Sequence, residues 1–241
     1  MPRFFVSDDD INGSTALIRG QDAVHIGRSL RMRLGDELTL CSGGRDYSCV
    51  IETISDRLCT LKVQGVRESV TEPDVRVTLF QAMPKSDKLE LIVQKSVELG
   101  VSEICPVLTS RCVSRPDGKS FGKKLERLNK IALEAAKQCG RSIVPAVTEL
   151  TTFAQAQKLL CENELALICY EKGGKNLRDA VKSNVKTIGL FIGSEGGFEQ
   201  SEADSCAAAG AEVIGMGSRI LRCETAPIAA LSIIMSLTGN M

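Results

Sequence analysis

The chain of 241 residues is balanced in charge, with 30 Lys and Arg against 30 Asp and Glu, and 43% of it is hydrophobic. That composition excludes disorder as the dominant state and excludes a small disulfide-stapled scaffold. At roughly 150 residues per domain it suits one large domain or two modest ones. A formal charge of zero leaves any anionic partner to be met by a local patch, and no run approaches the ~18 uninterrupted apolar residues of a membrane span.

The first ten residues turn acidic at Asp8 and lack the apolar core of a signal peptide, so the chain is expected to be cytoplasmic. Residues 1–72 are rich in short β-type runs broken by Gly and Asp. Asp36 to Cys41 reads as a strand, Ser42-Gly-Gly-Arg45 as a hairpin turn, and Tyr47 to Ile54 as the returning strand, with Leu58 to Val63 following. Closely spaced strands of this kind predict a small antiparallel barrel or sandwich. The polar stretch Glu68 to Pro73 is the best domain boundary, dividing the chain into 1–72 and 73–241.

From Val75 the pattern changes. Val75 to Phe80 reads as a strand, and Lys88 to Leu99 places Leu89, Ile92, Val93 and Val97 on one helical face, with Gly100 as the stop. Strand-like runs recur at Ile104–Leu108, Ala166–Tyr170, Thr187–Ile192 and Ala211–Met216, each followed by a helical pattern. The alternation predicts a parallel sheet in an α/β domain.

Ten cysteines are spread along the chain without a CxxC pair, most of them in apolar context, which fits reduced, buried thiols. A zinc site would need clustered Cys or several His, and the single histidine, His25, has no nucleophile motif beside it. Metal chemistry and triad hydrolysis are therefore not expected.

A helix over Phe121 to Cys139 carries Phe121, Leu125, Leu128, Ala132, Ala135 and Cys139 on its apolar face, with Lys123, Arg127, Lys130 and Lys137 opposite. Residues 111–141, including Arg111, hold nine basic and three acidic side chains, an excess of six. Such a face is either simply solvated or a surface that follows phosphates. A second basic cluster, Arg28, Arg31 and Arg33, favours the phosphate reading.

Two glycine-rich segments follow apolar strands. Ile192-Gly-Ser-Glu-Gly-Gly-Phe198 leads into a helix starting near Glu199, and Gly215-Met-Gly-Ser-Arg-Ile220 precedes the last helix. Glycine permits close backbone approach to a ligand. Glu195 would repel a phosphate, and no Lys-Ser/Thr ending is present, so a nucleotide P-loop is excluded. Leu221 to Leu237 has no charge beyond Arg222 and Glu224. Thr225 is expected to cap this final helix, with Pro227 tolerated in its first turn. A helix apolar all round must be buried in the core or against a second subunit.

Three stretches together resemble the RsmE family of SPOUT-class ribosomal RNA methyltransferases. They are Pro84-Lys85-Ser-Asp-Lys88-Leu-Glu90 with Gln94-Lys95 and Glu98-Leu-Gly-Val101, then Ile192 to Phe198, then Met216-Gly-Ser-Arg-Ile-Leu-Arg-Cys-Glu-Thr-Ala-Pro227. Arg3-Phe-Phe5, His25, Leu30-Arg31, Gly35-Asp36 and Glu134-Ala-Ala-Lys-Gln138 add to the likeness, which covers nearly the whole chain. The resemblance implies a PUA-like β-barrel for RNA binding at 1–72 and a SPOUT α/β domain at 73–241 whose C-terminal chain threads a deep trefoil knot. It implies a homodimer and S-adenosylmethionine bound by Tyr170, Glu171, Ile192, Gly193, Glu195, Gly196, Gly197, Met216, Gly217, Ile220, Leu221, Thr225 and Ala226. The reaction implied is methylation at N3 of one uridine, position 1498 in the decoding region of 16S rRNA, presented as naked RNA or as the 30S subunit. RNA-facing residues would be Arg3, Arg28, Arg31, Arg33, Lys85, Lys88, Arg111, Lys123, Arg127 and Lys130.

Uracil N3 must lose a weakly acidic proton. Arg222, close to a helix N-terminus, is the candidate to stabilise the resulting anion, and Glu195 and Glu224 are candidates for proton acceptor or for positioning the cofactor. Ser194 stands where the family usually has proline and Glu199 where a serine cap is usual, which predicts a looser first loop and a weaker helix start. Two other readings stay open: a SPOUT ribose 2′-O-methyltransferase, which the stretch Ser218 to Arg222 disfavours because it lacks an asparagine loop, and a non-catalytic RNA-binding module.

Overall fold

The computed structural model describes all 241 residues, which form two compact units. One comprises Met1–Glu72 together with Ala136–Ile143, the other Pro73–Ala135 together with Val144–Met241.

In the N-terminal unit the chain runs through β1 (Arg3–Phe5), a 3-10 turn at Asp8–Asp10, β2 (Ile11–Asn12) and β3 (Thr15–Arg19). A short helix α1 (Gly20–Val24) passes into a π-helical turn at His25–Ser29, followed by β4 (Glu37–Ser42), β5 (Arg45–Ile54) and β6 (Leu58–Glu68). The strands lie in the order β1-β4-β5-β6-β3-β2, antiparallel except for β1 beside β4. β1 and β2 are the two ends of this path, so the expected closed barrel is a half-barrel. The expected hairpin turn is present: Gly43 and Gly44 take φ of +56° and +79°, the left-handed pair that a two-residue turn between twisted strands requires. Register shifts at Ser48/Cys49 and Ile51/Thr53 bend β5, and Phe4, Ile18, Ile26, Leu38, Leu40, Ile51 and Leu61 fill the concave side.

Ala136–Ile143 was not expected in this unit, and polar side chains hold it there. Arg3 and the Ser142 hydroxyl both donate to the buried carboxylate of Asp46, and Arg3 Nη2 lies 2.7 Å from Ser142 Oγ. Arg141 is buried and donates to Glu72 at 2.7 and 3.1 Å, while Glu72 also accepts from the backbone N–H groups of Ser142 and Ile143.

The second unit contains β7 (Arg76–Ala82), α2 (Lys88–Glu98), β8 (Glu103–Leu108) and the long α3 (Gly118–Cys139), whose last turn belongs to the first unit. There follow β9 (Ala146–Val147), β10 (Thr151–Thr152), α4 (Phe153–Leu160), β11 (Leu165–Cys169), β12 (Lys175–Asn176), α5 (Leu177–Ala180), β13 (Thr187–Ile192), α6 (Gln200–Ala208), β14 (Glu212–Gly215) and α7 (Thr225–Leu237). All strand pairs are parallel, in the order β10-β8-β7-β13-β11-β14-β12 with β9 also on β8. β13 lies at the middle with both faces covered, which is why Ile188 to Ile192 are all buried. Phe191 anchors the core, with the Phe198 ring edge-on at 4.9 Å. On α2, Leu89, Ile92, Val93 and Val97 face inward as the spacing predicts.

The last helix departs from expectation at its start. Glu224, not Thr225, precedes its first turn, and no side chain caps it. Its inner face, Pro227, Ala230, Leu231, Ile234 and Met235, is buried, whereas Ile228, Ile233 and Leu237 are only half-buried. No helix of the chain is long and apolar enough to cross a membrane.

Candidate active site

Parallel strands direct their C-terminal ends the same way, and the loops leaving β11, β13 and β14 meet there. The loop after β13 turns tightly: Gly197 N–H donates to Ser194 O at 3.0 Å, and Gly197 takes φ of +66°. Phe198, fully buried, then pins the chain before α6. After β14 the chain turns at Gly217, φ +94°, and Arg222 O accepts from the N–H groups of Thr225 and Ala226 at the start of α7. Between these loops lies a cavity of about 380 Å³.

Twelve of the thirteen residues expected at the cofactor site line it: Tyr170, Glu171, Ile192, Gly193, Glu195, Gly196, Gly197, Met216, Gly217, Ile220, Leu221 and Ala226. Thr225 does not. Arg222 lines it from the exposed rim, whereas Glu224 is absent from the lining and reaches it through Lys88. The glycines are required by space. A Cβ on Gly197 would come within 2.5 Å of the Glu171 carboxylate, one on Gly193 within 3.1 Å of Gly197 Cα, and one on Gly196 within 3.0 Å of Arg111 Cβ.

Two basic residues expected to face RNA make ion pairs beside this cavity. Lys88, at the start of α2, places Nζ 3.1 Å from Glu195 Oε1 and 3.1 Å from Glu224 Oε2. Arg111, in the loop after β8, donates to both carboxylate oxygens of Glu199 at 2.9 and 3.2 Å, to Gly196 O at 2.9 Å and to Glu171 at 3.4 Å. At the start of α6 the Glu199 N–H donates to Glu202 at 2.9 Å, and its carboxylate holds Arg111. Ser194 is buried, bridges to Gly197 and donates to Arg111 O at 3.4 Å.

The charges of the site are settled by these contacts. Burial pushes the Glu195 carboxyl up, but its own N–H, the Lys88 ammonium and the Lys85 N–H together hold it below the usual range. Glu224 behaves alike: burial opposes ionisation, and its own N–H, Lys88 and the Cys223 thiol outweigh it. Lys88 is held above the ordinary lysine value by Glu195 and Glu224 in turn. Burial pushes the Cys223 thiol up to about 12, reinforced by Glu224. Both carboxylates stand within ion-pair distance of the same ammonium, an arrangement that suits them to holding Lys88.

The other basic residues are placed as follows. Arg3 is engaged by Asp46 inside its unit, and Arg127 is paired with Glu90 at 2.7 Å, so neither presents a free cation. Arg28 makes an exposed 3.7 Å pair with Asp56, and Arg31 and Arg33 lie on an exposed turn in which Arg31 has φ of +52°. Lys123 and Lys130 are exposed on α3, and Lys85 is exposed while its backbone N–H donates to Glu195 at 3.1 Å. Lys137 pairs with Asp22 and Arg141 with Glu72, so much of the excess charge of 111–141 is already compensated.

Lys88 and Arg111 were missed as site residues because their partners lie about 60 to 135 residues away. One signal was available for Lys88: a lysine in the first turn opposes the helix dipole, so a carboxylate must be nearby to hold it.

Comparison with known proteins agrees with this geometry. The family model for an RNA methyltransferase domain matches residues 71–235, and that for an RNA methyltransferase PUA domain matches 18–64. Ribosomal RNA small subunit methyltransferase E of Bacillus subtilis is 35% identical over 91% of this chain and 89% of its own length, and that of Mycobacterium bovis is 29% identical over 98% and 92%. The crystal structure of ribosomal RNA small subunit methyltransferase E from Neisseria gonorrhoeae bound to S-adenosyl methionine superposes with a TM-score of 0.85, at 31% identity and 98% coverage of both chains. With a PUA-like half-barrel, a parallel α/β domain and a glycine-lined cavity at its strand ends, the chain belongs to the ribosomal RNA small subunit methyltransferase E family of RNA methyltransferases.

Proposed function

We propose that the chain methylates N3 of a single uridine in the decoding region of 16S rRNA, the residue numbered 1498, using S-adenosylmethionine. The observation that carries the reading is the cavity itself. Its glycines Gly193, Gly196 and Gly197 keep backbone bare where a Cβ would be crowded, its apolar residues Ile192, Met216 and Leu221 suit an adenine and a methylthio group, and its carboxylates suit a sulfonium cation better than a phosphate. The site thus fits the cofactor, and Gly193, Gly196, Gly197, Gly217 and Leu221 would hold it. Bound there, S-adenosylmethionine supplies a methyl group that is already activated, so the protein's work is alignment. Arg222, exposed on the rim, is positioned to stabilise charge on the uracil ring as the N3 proton leaves. That proton passes to water at the open rim, because Glu195 and Glu224 are both engaged by Lys88. Exposed Lys123 and Lys130 on α3 and Arg28, Arg31 and Arg33 in the N-terminal unit follow the RNA backbone. Half-buried Ile228, Ile233 and Leu237 of α7 are the surface on which two copies pair, and the C-terminal chain carries the family's trefoil knot.

The test is methyl transfer from labelled S-adenosylmethionine to naked 16S rRNA and to 30S particles, followed by nuclease digestion and mass analysis. A single 3-methyluridine is expected; a 2′-O-methylnucleoside, or binding without transfer, would overturn the assignment.

A further inference from the structure

Three segments far apart in sequence converge on one ammonium group. Lys88 projects from the first turn of α2, Glu195 from the loop after β13, and Glu224 from the end of the loop after β14, with both N–O distances at 3.1 Å. The two carboxylate oxygens are therefore no more than about 6 Å apart. Without the cation between them they would repel, in a partly desolvated place where that repulsion is poorly screened.

The segment before Lys88 is shaped for this contact. Ser86 takes φ of +54°, in the left-handed region that a non-glycine residue rarely adopts. That turn brings Lys85 N–H to the Glu195 carboxylate at 3.1 and 3.3 Å, so Glu195 is gripped by a backbone donor and a side-chain donor from the same stretch. The Cys223 thiol, 3.2 Å from Glu224 Oε2 and 3.9 Å from Lys88 Nζ, is the remaining titratable group in contact. A lysine here opposes the α2 dipole, and only the two carboxylates offset that cost.

We propose that Lys88 is a positioning residue: its ammonium fixes the spacing of the two loops that close on the cofactor, and Glu195 and Glu224 serve as its anchors and not as proton acceptors. The inference rests on the reading of the cavity as an S-adenosylmethionine site. Lys88 touches neither the reacting methyl group nor the uracil in this scheme; it acts by setting where Gly193–Gly197 and Gly217–Leu221 stand.

The test measures S-adenosylmethionine affinity by calorimetry, with melting temperature alongside, for the wild-type chain, Lys88→Met, Lys88→Arg and the triple variant Lys88→Met with Glu195→Gln and Glu224→Gln. Wild-type binding is established first, so that its absence refutes the cavity reading and leaves a distinct result from failure of the Lys88 inference. Lys88→Met should weaken binding by about 10-fold or more, as displacement of a positioned loop does, with little change in melting temperature. Lowering the pH from 8 to 5.5 should recover part of that loss in Lys88→Met alone, because one of two facing, unpaired carboxylates then takes up a proton. The wild-type affinity should stay level over the same range. Lys88→Arg should keep most of the affinity, and the triple variant should bind more tightly than Lys88→Met because the repulsion is gone, though short of wild type because Glu195 no longer offers the cofactor a carboxylate. Unchanged or tighter binding by Lys88→Met, or a loss that neither acid nor the triple variant relieves, overturns the proposal.

Discussion

Substituting Gly197 separates the cost of backbone strain from the cost to the cavity. Its φ of +66° disfavours any Cβ, a penalty of roughly 1–2 kcal/mol for an L-residue. In a chain of this size that lowers the melting temperature by about 2–4 °C per kcal/mol. The Cβ would also come within 2.5 Å of the Glu171 carboxylate, where ordinary contact begins near 3.4 Å, so side chain or loop must give way by roughly 1 Å. Misplacement on that scale costs up to about 10²-fold where geometry matters. Gly210, at the end of α6 with φ of +101° and open space around its Cβ position, is the control for strain alone, and it is not among the cavity residues. Gly197→Ala and Gly210→Ala should therefore melt earlier by similar amounts. Only Gly197→Ala should lose S-adenosylmethionine affinity in calorimetry, by at least about 10-fold. Equal affinity in the two variants would show that the loop after β13 does not form the binding surface. Gly197→Val, with its branched Cβ, should be worse in both respects.

Arg222→Ala should lower the methylation rate by about 10²–10³-fold, the size of losing one well-placed electrostatic group, with cofactor affinity and melting temperature little changed; a joint loss of affinity and stability would make the residue structural. Arg222→Lys should recover part of the rate, since an ammonium lacks the planar fork of a guanidinium. Lys123→Glu with Lys130→Glu should flatten the salt dependence of rRNA binding by at least ~0.7–0.9 in log–log slope for each phosphate that is no longer neutralised, and an unaltered slope would leave α3 as a solvated face. Asp46 is buried, which alone would raise its pKa, yet Ser142 and Arg3 hold it below the ordinary aspartate value. Its ionised form therefore stabilises the fold above the unfolded value near ~3.9, and that contribution fades as pH falls through the lowered folded value. Asp46→Asn should accordingly be most destabilising at neutral pH in denaturant titrations, with the gap to wild type closing below about pH 4.

Periodicity and punctuation made much of the fold legible. Apolar runs marked β7, β8, β11, β13 and β14, the spacing of Leu89, Ile92, Val93 and Val97 marked α2, and Ser42-Gly-Gly-Arg45 marked the hairpin, all signals carried within a few residues of chain. The glycine loops were legible for the same reason. What stayed hidden depends on partners distant in sequence. The excess charge of 111–141 is compensated by Glu90, Glu199, Asp22 and Glu72, and no local pattern shows that Arg111 turns toward Gly196. Strand order is hidden likewise: β13 sits between β7 and β11, and the half-barrel stays open, because of contacts that a linear pattern does not encode. Family resemblance named most of the cavity residues but did not show that Lys88 and Arg111 pair with carboxylates there, since a motif marks residues without telling which way they point.

The placement of Ala136–Ile143 in the N-terminal unit has a practical consequence for dissecting the molecule. The chain crosses between the two units three times, after Glu72, after Ala135 and after Ile143. A nick at Val70, exposed in the connecting stretch, therefore yields two fragments that do not correspond to two folded bodies. The N-terminal fragment lacks the Ser142 that shares Asp46 with Arg3, while the C-terminal fragment keeps the Arg141–Glu72 pair but loses the strands of the N-terminal unit. Expressed apart, the two pieces are each incomplete; mixed, they have a built-in reason to reassemble, with residues 136–143 as the tether. Any chimaera that exchanges the N-terminal unit of one such protein for another's must carry this eight-residue segment along with it, at three junctions and not one.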